Sequence, residues 1–162
     1  MGRLIVADAG PLIVFGRIGE LDLLPKTLGQ VIVPDDVETE CLRDPDRPGA
    51  LAIRGALESG LLAKASDPLP PLPPFPVLDA GESAAIRLAL KLSAPVLIDE
   101  KAGRRIATNL GLTVIGSIGV LLAAKKRGHI EAVKPLLDAF EAHAYHVSAA
   151  LVRAALIRAG ER

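Results

Sequence analysis

The sequence predicts an α/β fold in which helices cover both faces of a parallel sheet. Three observations carry that prediction. Short apolar runs rich in β-branched residues recur without polar alternation, as in Leu4-Ile5-Val6-Ala7 and Val31-Ile32-Val33; this is the pattern of strands buried on both faces. Helical patterns separate these runs, and a strand–helix–strand rhythm closes by right-handed crossovers into a parallel sheet. The chain has 162 residues, 50% of them hydrophobic, which suits one compact domain with a buried core.

The elements follow in order. The first strand covers residues 4–7 and ends at Asp8. Gly10-Pro11 opens a helix over 12–18, with Pro suited to a first helical turn. A second strand covers 31–33. Asp35 and Glu38 have the spacing of a capping box and start the next helix. A further helix covers 47–60, closing at Gly60, and residues 61–65 read as a strand. The stretch 67–76, Asp-Pro-Leu-Pro-Pro-Leu-Pro-Pro-Phe-Pro, forms neither a regular helix nor a central strand. It reads as a stiff surface connection or as a polyproline ligand for a partner.

The second half is more regular. Asp79 and Glu82 form a second capping-box pattern, starting a helix through Leu92. A strand over 95–98 ends at Asp99-Glu100. A helix over 101–110 closes at Gly111, and a strand follows over 112–115. Gly116-Ser117 leads into a helix reaching Arg127, Gly128-His129 turns the chain, and helices cover 131–144 and 149–159. The last helix covers the domain's own core or presents a groove to a partner; its few charges favour the core.

Composition excludes several classes. Lys plus Arg and Asp plus Glu are each 19, which argues against a protein that coats nucleic acid through bulk positive charge. The neutrality is a cancellation: residues 1–81 hold 7 basic and 12 acidic residues, and residues 82–162 hold 12 basic and 7 acidic. Three Phe, one Tyr and no Trp are too few for a module that stacks bases on aromatic rings. A single cysteine, Cys41, excludes an internal disulfide and a Cys-rich zinc site, and reads as a small buried apolar residue. His129, His143 and His146 lack zinc spacing. The run 114–124 falls short of the roughly 20 residues of a membrane helix, and the opening run meets Asp8 too early for a signal-peptide core. The expectation is a cytoplasmic protein without a membrane partner.

The carboxylates carry the functional argument. In an open parallel sheet, ligands bind beyond the carboxyl ends of the strands. Asp8 and Asp99 end two strands, Ser117 follows a third, and Glu40 and Glu82 lie on helices. Each acid also has a structural role open to it: Asp8 and Asp99 as N-caps, Glu82 as the partner of Asp79. If the acids converge, their mutual repulsion is relieved by a hard divalent cation, Mg²⁺ or Mn²⁺.

Four segments together resemble one family. Val6-Ala7-Asp8-Ala9-Gly10-Pro11-Leu12-Ile13, residues 78–89 around Gly81-Glu82, residues 97–107 around Asp99, and residues 116–128 from Gly116-Ser117 onward resemble, in order and spacing, the motifs of PIN-domain nucleases. They are most similar to the VapC-like branch. Gly10 stands where that branch usually has Ser or Thr, Ser117 where it usually has Thr, and Glu100 where it usually has Asp. The resemblance implies a three-layer α/β/α sandwich with a central parallel sheet, the domain covering residues 1–146 and a C-terminal helix over 147–162 packed on it. It implies metal-dependent cleavage of RNA by the toxin of a toxin–antitoxin pair, restrained by a cognate antitoxin protein, and a homodimer. By motif position it implies catalytic Asp8, Glu40, Glu82 and Asp99, with Asp8, Glu82 and Asp99 on the metal. Glu100 and Ser117 stand behind these ligands.

Phosphodiester hydrolysis builds negative charge on the phosphoryl and leaving oxygens, and Mg²⁺ or Mn²⁺ can stabilise it and activate water for in-line attack. Lys101, Arg104 and Arg105 follow Asp99 on one helix, as an RNA track or as a solvated face. Lys125-Lys126-Arg127 complements a helix C-terminus. The alternative to the nuclease is a catalytically silent RNA- or protein-binding module of the same fold, whose acids only cap helices. A phosphate-accepting receiver or phosphatase-like domain fits less well, because Asp8 lacks a neighbouring carboxylate and no Gly-rich phosphate loop is present.

Overall fold

The computed structural model describes residues 3–66 and 68–162. Met1, Gly2 and Asp67, which belong to the opening run and to the Pro-rich stretch, lie outside them. Among the described residues five strands form one sheet: β1 (Leu4–Ala7), β2 (Gln30–Pro34), β3 (Ala63–Ala65), β4 (Val96–Leu97) and β5 (Val114–Ile115). Their spatial order is β3-β2-β1-β4-β5, and every pairing is parallel. The helices are α1 (Ala9–Arg17), α2 (Leu23–Leu28), α3 (Asp35–Leu42), α4 (Ala50–Ser59), α5 (Ala80–Leu92), α6 (Lys101–Asn109), α7 (Ser117–Lys126), α8 (Lys134–Ala142) and α9 (Ala149–Arg158). They complete the three-layer α/β/α sandwich that the sequence predicts.

The apolar runs become the middle of the sandwich because nothing polar interrupts them. Val6, Ala7, Val31, Val33, Val96 and Leu97 are fully buried. Strand order decides where a ligand can bind. From β1 the chain steps outward through β2 and β3, then returns to place β4 and β5 on the other side of β1. The reversal leaves a crevice at the carboxyl ends of β1 and β4, the switch point at which open α/β sheets bind ligands. Ala7 pairs with Leu97 in register, and the Asp8 amide donates to the Leu97 carbonyl at 2.9 Å. The segments leading to Asp8 and Asp99 therefore leave the sheet side by side.

Several local expectations are corrected. Helix α2 has no counterpart in the sequence reading; it is 6 residues long with Pro25 inside it. Its helical state follows from packing, since Leu23 and Leu24 are buried and the helix rests on β2 and α7. No capping box forms at Asp35 and Glu38. Pro34 is the N-cap of α3, Asp35 accepts a hydrogen bond from Ser66 at 2.8 Å, and Glu38 pairs with Lys64 at 2.9 Å. The expected helices over 47–60 and 131–144 are shorter, Ala50–Ser59 and Lys134–Ala142. The Pro-rich stretch runs without regular structure along α5. Lys91 donates to the Pro68 carbonyl at 3.0 Å, and Arg87 donates to those of Pro70 at 2.7 Å and Leu69 at 3.3 Å.

Helix α9 buries Ala155 and Leu156 against the domain and packs on α7. Its end is fastened by Glu161. That carboxylate accepts hydrogen bonds from the Val133 amide at 2.7 Å, the Lys134 amide at 3.1 Å and the Lys125 ammonium at 2.9 Å. Lys125 thus does more than complement the end of its own helix. The Val133 amide first, and then Lys125, hold the Glu161 carboxyl down to about 2 from its ordinary 4.5. The stability this gives is complete above pH 4.5 and is lost as the pH falls toward 2. Glu161→Gln is therefore expected to lower the melting temperature at pH 7 and to lose that effect near pH 2. A calorimetric scan of both proteins against pH checks this.

Candidate active site

Helix α5 supplies the best-defined carboxylate because its start is fixed twice. The Asp79 carboxylate accepts from the Glu82 amide at 2.7 Å, and Glu82 Oε1 accepts from the Asp79 amide at 2.9 Å. This reciprocal capping box satisfies two amides that the helix itself leaves unpaired. It occupies only one oxygen of Glu82. The other, Oε2, is buried without a hydrogen-bond partner. The capping role and a ligand role of Glu82 are thus compatible on one side chain.

Asp8 occupies the N-cap position of α1 but makes no side-chain cap hydrogen bond there. The Asp8 side chain therefore does not cap α1. The residue is 5% exposed, and its Oδ1 is buried and unpartnered. Burial first, opposed by the Ala9 amide, and then the nearby Glu82, Asp79 and Glu40 together raise its carboxyl from 3.8 to about 7. Leaving a buried acceptor unmatched is costly, so two such oxygens in mutually repelling acids ask for a partner.

Glu40 reaches the same place from α3. Burial and Asp79 raise its carboxyl, against Arg43 and Arg47. Gly81 makes the approach feasible: a Cβ there would stand 2.8 Å from Glu40 Oε1. Burial raises the Glu82 carboxyl too, with Asp79, Glu100 and Glu40 adding to it against the Asp79 amide. Asp8, Glu40, Asp79 and Glu82 thus form one acidic cluster. Glu100, exposed at the N-cap of α6, acts on it from the rim.

Asp99 forms a separate network. It is not the N-cap of its own helix, α6; instead it receives the start of α7. Its Oδ1 accepts from the Ser117 amide at 2.7 Å, and its Oδ2 accepts from the Ser117 hydroxyl at 2.5 Å and from the Tyr145 hydroxyl. Ser117 is buried. Nothing in the sequence marks Tyr145, which lies 46 residues beyond Asp99 in no recognisable motif. Burial first, and then Asp99, raise the Tyr145 hydroxyl's pKa well above its ordinary value, so it remains a donor. Arg104 is half-buried, donates to the Ile98 carbonyl at 2.9 Å, and shares with Asp99 a niche that only Gly116 leaves open. A Cβ at Gly116 would meet Arg104 Nη1 at 2.5 Å and Asp99 Oδ1 at 3.0 Å. Lys101 and Arg105 on the same helix are exposed.

Among the described residues, no three Asp, Glu, His or Cys side chains stand together as a ready metal-ligand set. Of the expected set, Asp8 and Glu82 stand in the acidic cluster, and Asp99 is held by Ser117 and Tyr145. Asp8 and Glu82 nonetheless fit a hard divalent cation by donor chemistry and by their free oxygens. Asp99 has three of a carboxylate's roughly four acceptor sites in use, leaving about one. The remaining chemistry-bearing residues lie elsewhere. Cys41 is buried and its thiol is pushed up to about 12, mainly by burial, so it is an inert apolar filler. His129, His143 and His146 are exposed. Among the described residues no helix is long and apolar enough to cross a membrane.

Comparison with known proteins agrees with this architecture. A family model described as PIN domain matches residues 4–161. The fold is similar to that of a PilT N-terminus domain protein, SSO1118, from the hyperthermophilic archaeon Sulfolobus solfataricus P2. The TM-score is 0.52 and the identity 16%, covering 90% of this chain and 97% of that one. At that identity the likeness is one of fold alone. No curated protein matches the sequence.

Proposed function

The chain belongs to the PIN-domain family, generally a nuclease fold that binds a divalent metal, and on that premise we propose that it is a Mg²⁺- or Mn²⁺-dependent endoribonuclease. The observation that carries this reading is the pair of buried, unpartnered carboxylate oxygens, Asp8 Oδ1 and Glu82 Oε2, in a cluster set beside the sheet's switch point. Asp8 and Glu82 would hold the cation, and Asp99 would complete the site through its remaining acceptor position. The cation supplies positive charge against the developing phosphate charge and a lowered pKa for water.

The chain's own groups do the rest. Glu40, on the cluster's α3 side, orients water. Glu82, fixed to the first turn of α5 by the capping box, cannot swing away from the crevice. Asp8 holds a proton at its carboxyl up to about pH 7, so binding a cation there would be coupled to loss of that proton. Lys101 and Arg105 attract RNA phosphates at the start of α6, and Arg104 approaches from the Gly116 niche. The scarcity of aromatic rings directs recognition to backbone and shape.

The toxin role, a cognate antitoxin protein as partner, and a homodimer belong to the same proposal. Growth arrest by the wild type but not by Asp99→Asn tests the first, and light scattering of the purified chain tests the dimer. The central experiment compares wild type with Asp99→Asn on a defined RNA panel with and without Mg²⁺. The expected result is metal-dependent cleavage that the substitution reduces by about a hundredfold or more. Equal, metal-independent cleavage by both proteins overturns the mechanism. A protein that gains no thermal stability from Mn²⁺ and cleaves nothing is the silent binding module instead.

A further inference from the structure

Resting on the metal-dependent reading above, we infer that Tyr145 is a positioning residue: with Ser117 it fixes the Asp99 carboxylate so that one acceptor position remains for the cation. The residue lies outside the segments that carry the family resemblance, and it joins the site only through the fold.

The grip on Asp99 is complete and comes from two elements. The start of α7 contributes the Ser117 amide and hydroxyl, and the segment after α8 contributes the Tyr145 hydroxyl. Three donors on about four acceptor sites leave the carboxylate little freedom to rotate. Either donor group alone would leave Oδ2 with a single partner.

Tyr145 is itself held firmly. Its ring packs edge-on against Phe140, with centroids 5.4 Å apart at 67°, and Phe140 packs in the same way on Phe15, at 5.5 Å and 81°. Phe15 lies on α1, the helix that begins directly after Asp8. The row of rings thus runs from the helix behind one acid to the hydroxyl that holds another. The backbone is fixed as well. The Tyr145 amide donates to the Phe140 carbonyl at 2.9 Å, and Ala144 before it takes a left-handed φ of 63°. That conformation is unfavourable for a residue with a Cβ, and it turns the chain back over the end of α8.

The ring's packing does not need the hydroxyl, so Tyr145→Phe removes the contact to Asp99 and keeps the aromatic row. Outer partners of metal ligands typically matter by about 10- to 100-fold in metal affinity or activity. The experiment measures Mn²⁺ dissociation constants by calorimetry, together with kcat and KM on a cleaved RNA, for wild type, Tyr145→Phe, Ser117→Ala and Asp99→Asn. For Tyr145→Phe the expectation is roughly tenfold weaker Mn²⁺ binding and a roughly tenfold lower kcat. KM for RNA should hold, and the thermal transition should remain cooperative and near that of wild type. Tyr145→Phe that binds Mn²⁺ and turns over like wild type, while Asp99→Asn is impaired, overturns this inference alone. Asp99→Asn indistinguishable from wild type in both measurements overturns the metal-dependent reading and this inference with it.

Discussion

Asp8→Asn is expected to destroy cleavage and at the same time to stabilise the metal-free protein. The two effects share one cause. Asp8 is buried among acids, and its carboxyl sits near 7 instead of its ordinary 3.8. The folded state holds the proton more tightly than the unfolded chain does. Stability from this group is therefore full below pH 3.8 and is lost as the pH rises to about 7. The accumulated penalty is on the order of 4 kcal/mol at pH 8. Asn does not titrate, so the gain over wild type should grow from near zero at pH 4 to its full size at pH 8. For a chain of this size that is a rise of roughly 10 °C in melting temperature. On the proposed metal-dependent reading, cleavage should by contrast fall about a thousandfold or more, because a charged group placed to hold the cation is gone. Melting curves with chelator at pH 4, 6 and 8 check the first half, and single-turnover RNA cleavage checks the second. A destabilised Asp8→Asn at pH 8 would falsify the electrostatic account of the cluster.

The second large effect is on the aromatic row. Phe140 is fully buried between Phe15 and Tyr145. Phe140→Ala should cost about 3–5 kcal/mol through lost transfer energy and the cavity left behind. Each edge-on ring pair adds about 0.5–1.5 kcal/mol beyond its buried area. Phe140→Leu keeps most of the volume and should cost clearly less. Urea midpoints for the two variants give the comparison. Similar losses in both would show that ring geometry, not volume, holds this region together.

Much of the fold was legible because parallel strands buried on both faces must be continuously apolar. Leu4 to Ala7 and residues 31–33 could be little else. The start of α5 was legible for another reason: Asp79 and Glu82 satisfy each other's amides within one turn, so the pattern needs no help from distant residues. The same pattern failed at Asp35 and Glu38. There the distant partners Ser66 and Lys64 took the side chains, and Pro34 became the cap. Helix α2 was illegible because its helical state comes from contacts with β2 and α7, not from its own short, Pro-containing sequence. The cluster was half legible. Strand ends placed Asp8 and Asp99 on one edge, but a linear pattern cannot distinguish an acid with a free buried oxygen from one already holding three donors. Tyr145 needed the whole fold to be seen.

The pairing of β1 with β4 also sets the order of events during synthesis. Val6 leaves the ribosome early, yet its second neighbour, Val96, follows much later, and sheets closed by such distant pairings form slowly. Ser117 and Tyr145, the donors on Asp99, follow later still. A nascent chain therefore carries Asp8 and Glu82 long before Asp99 is set in place.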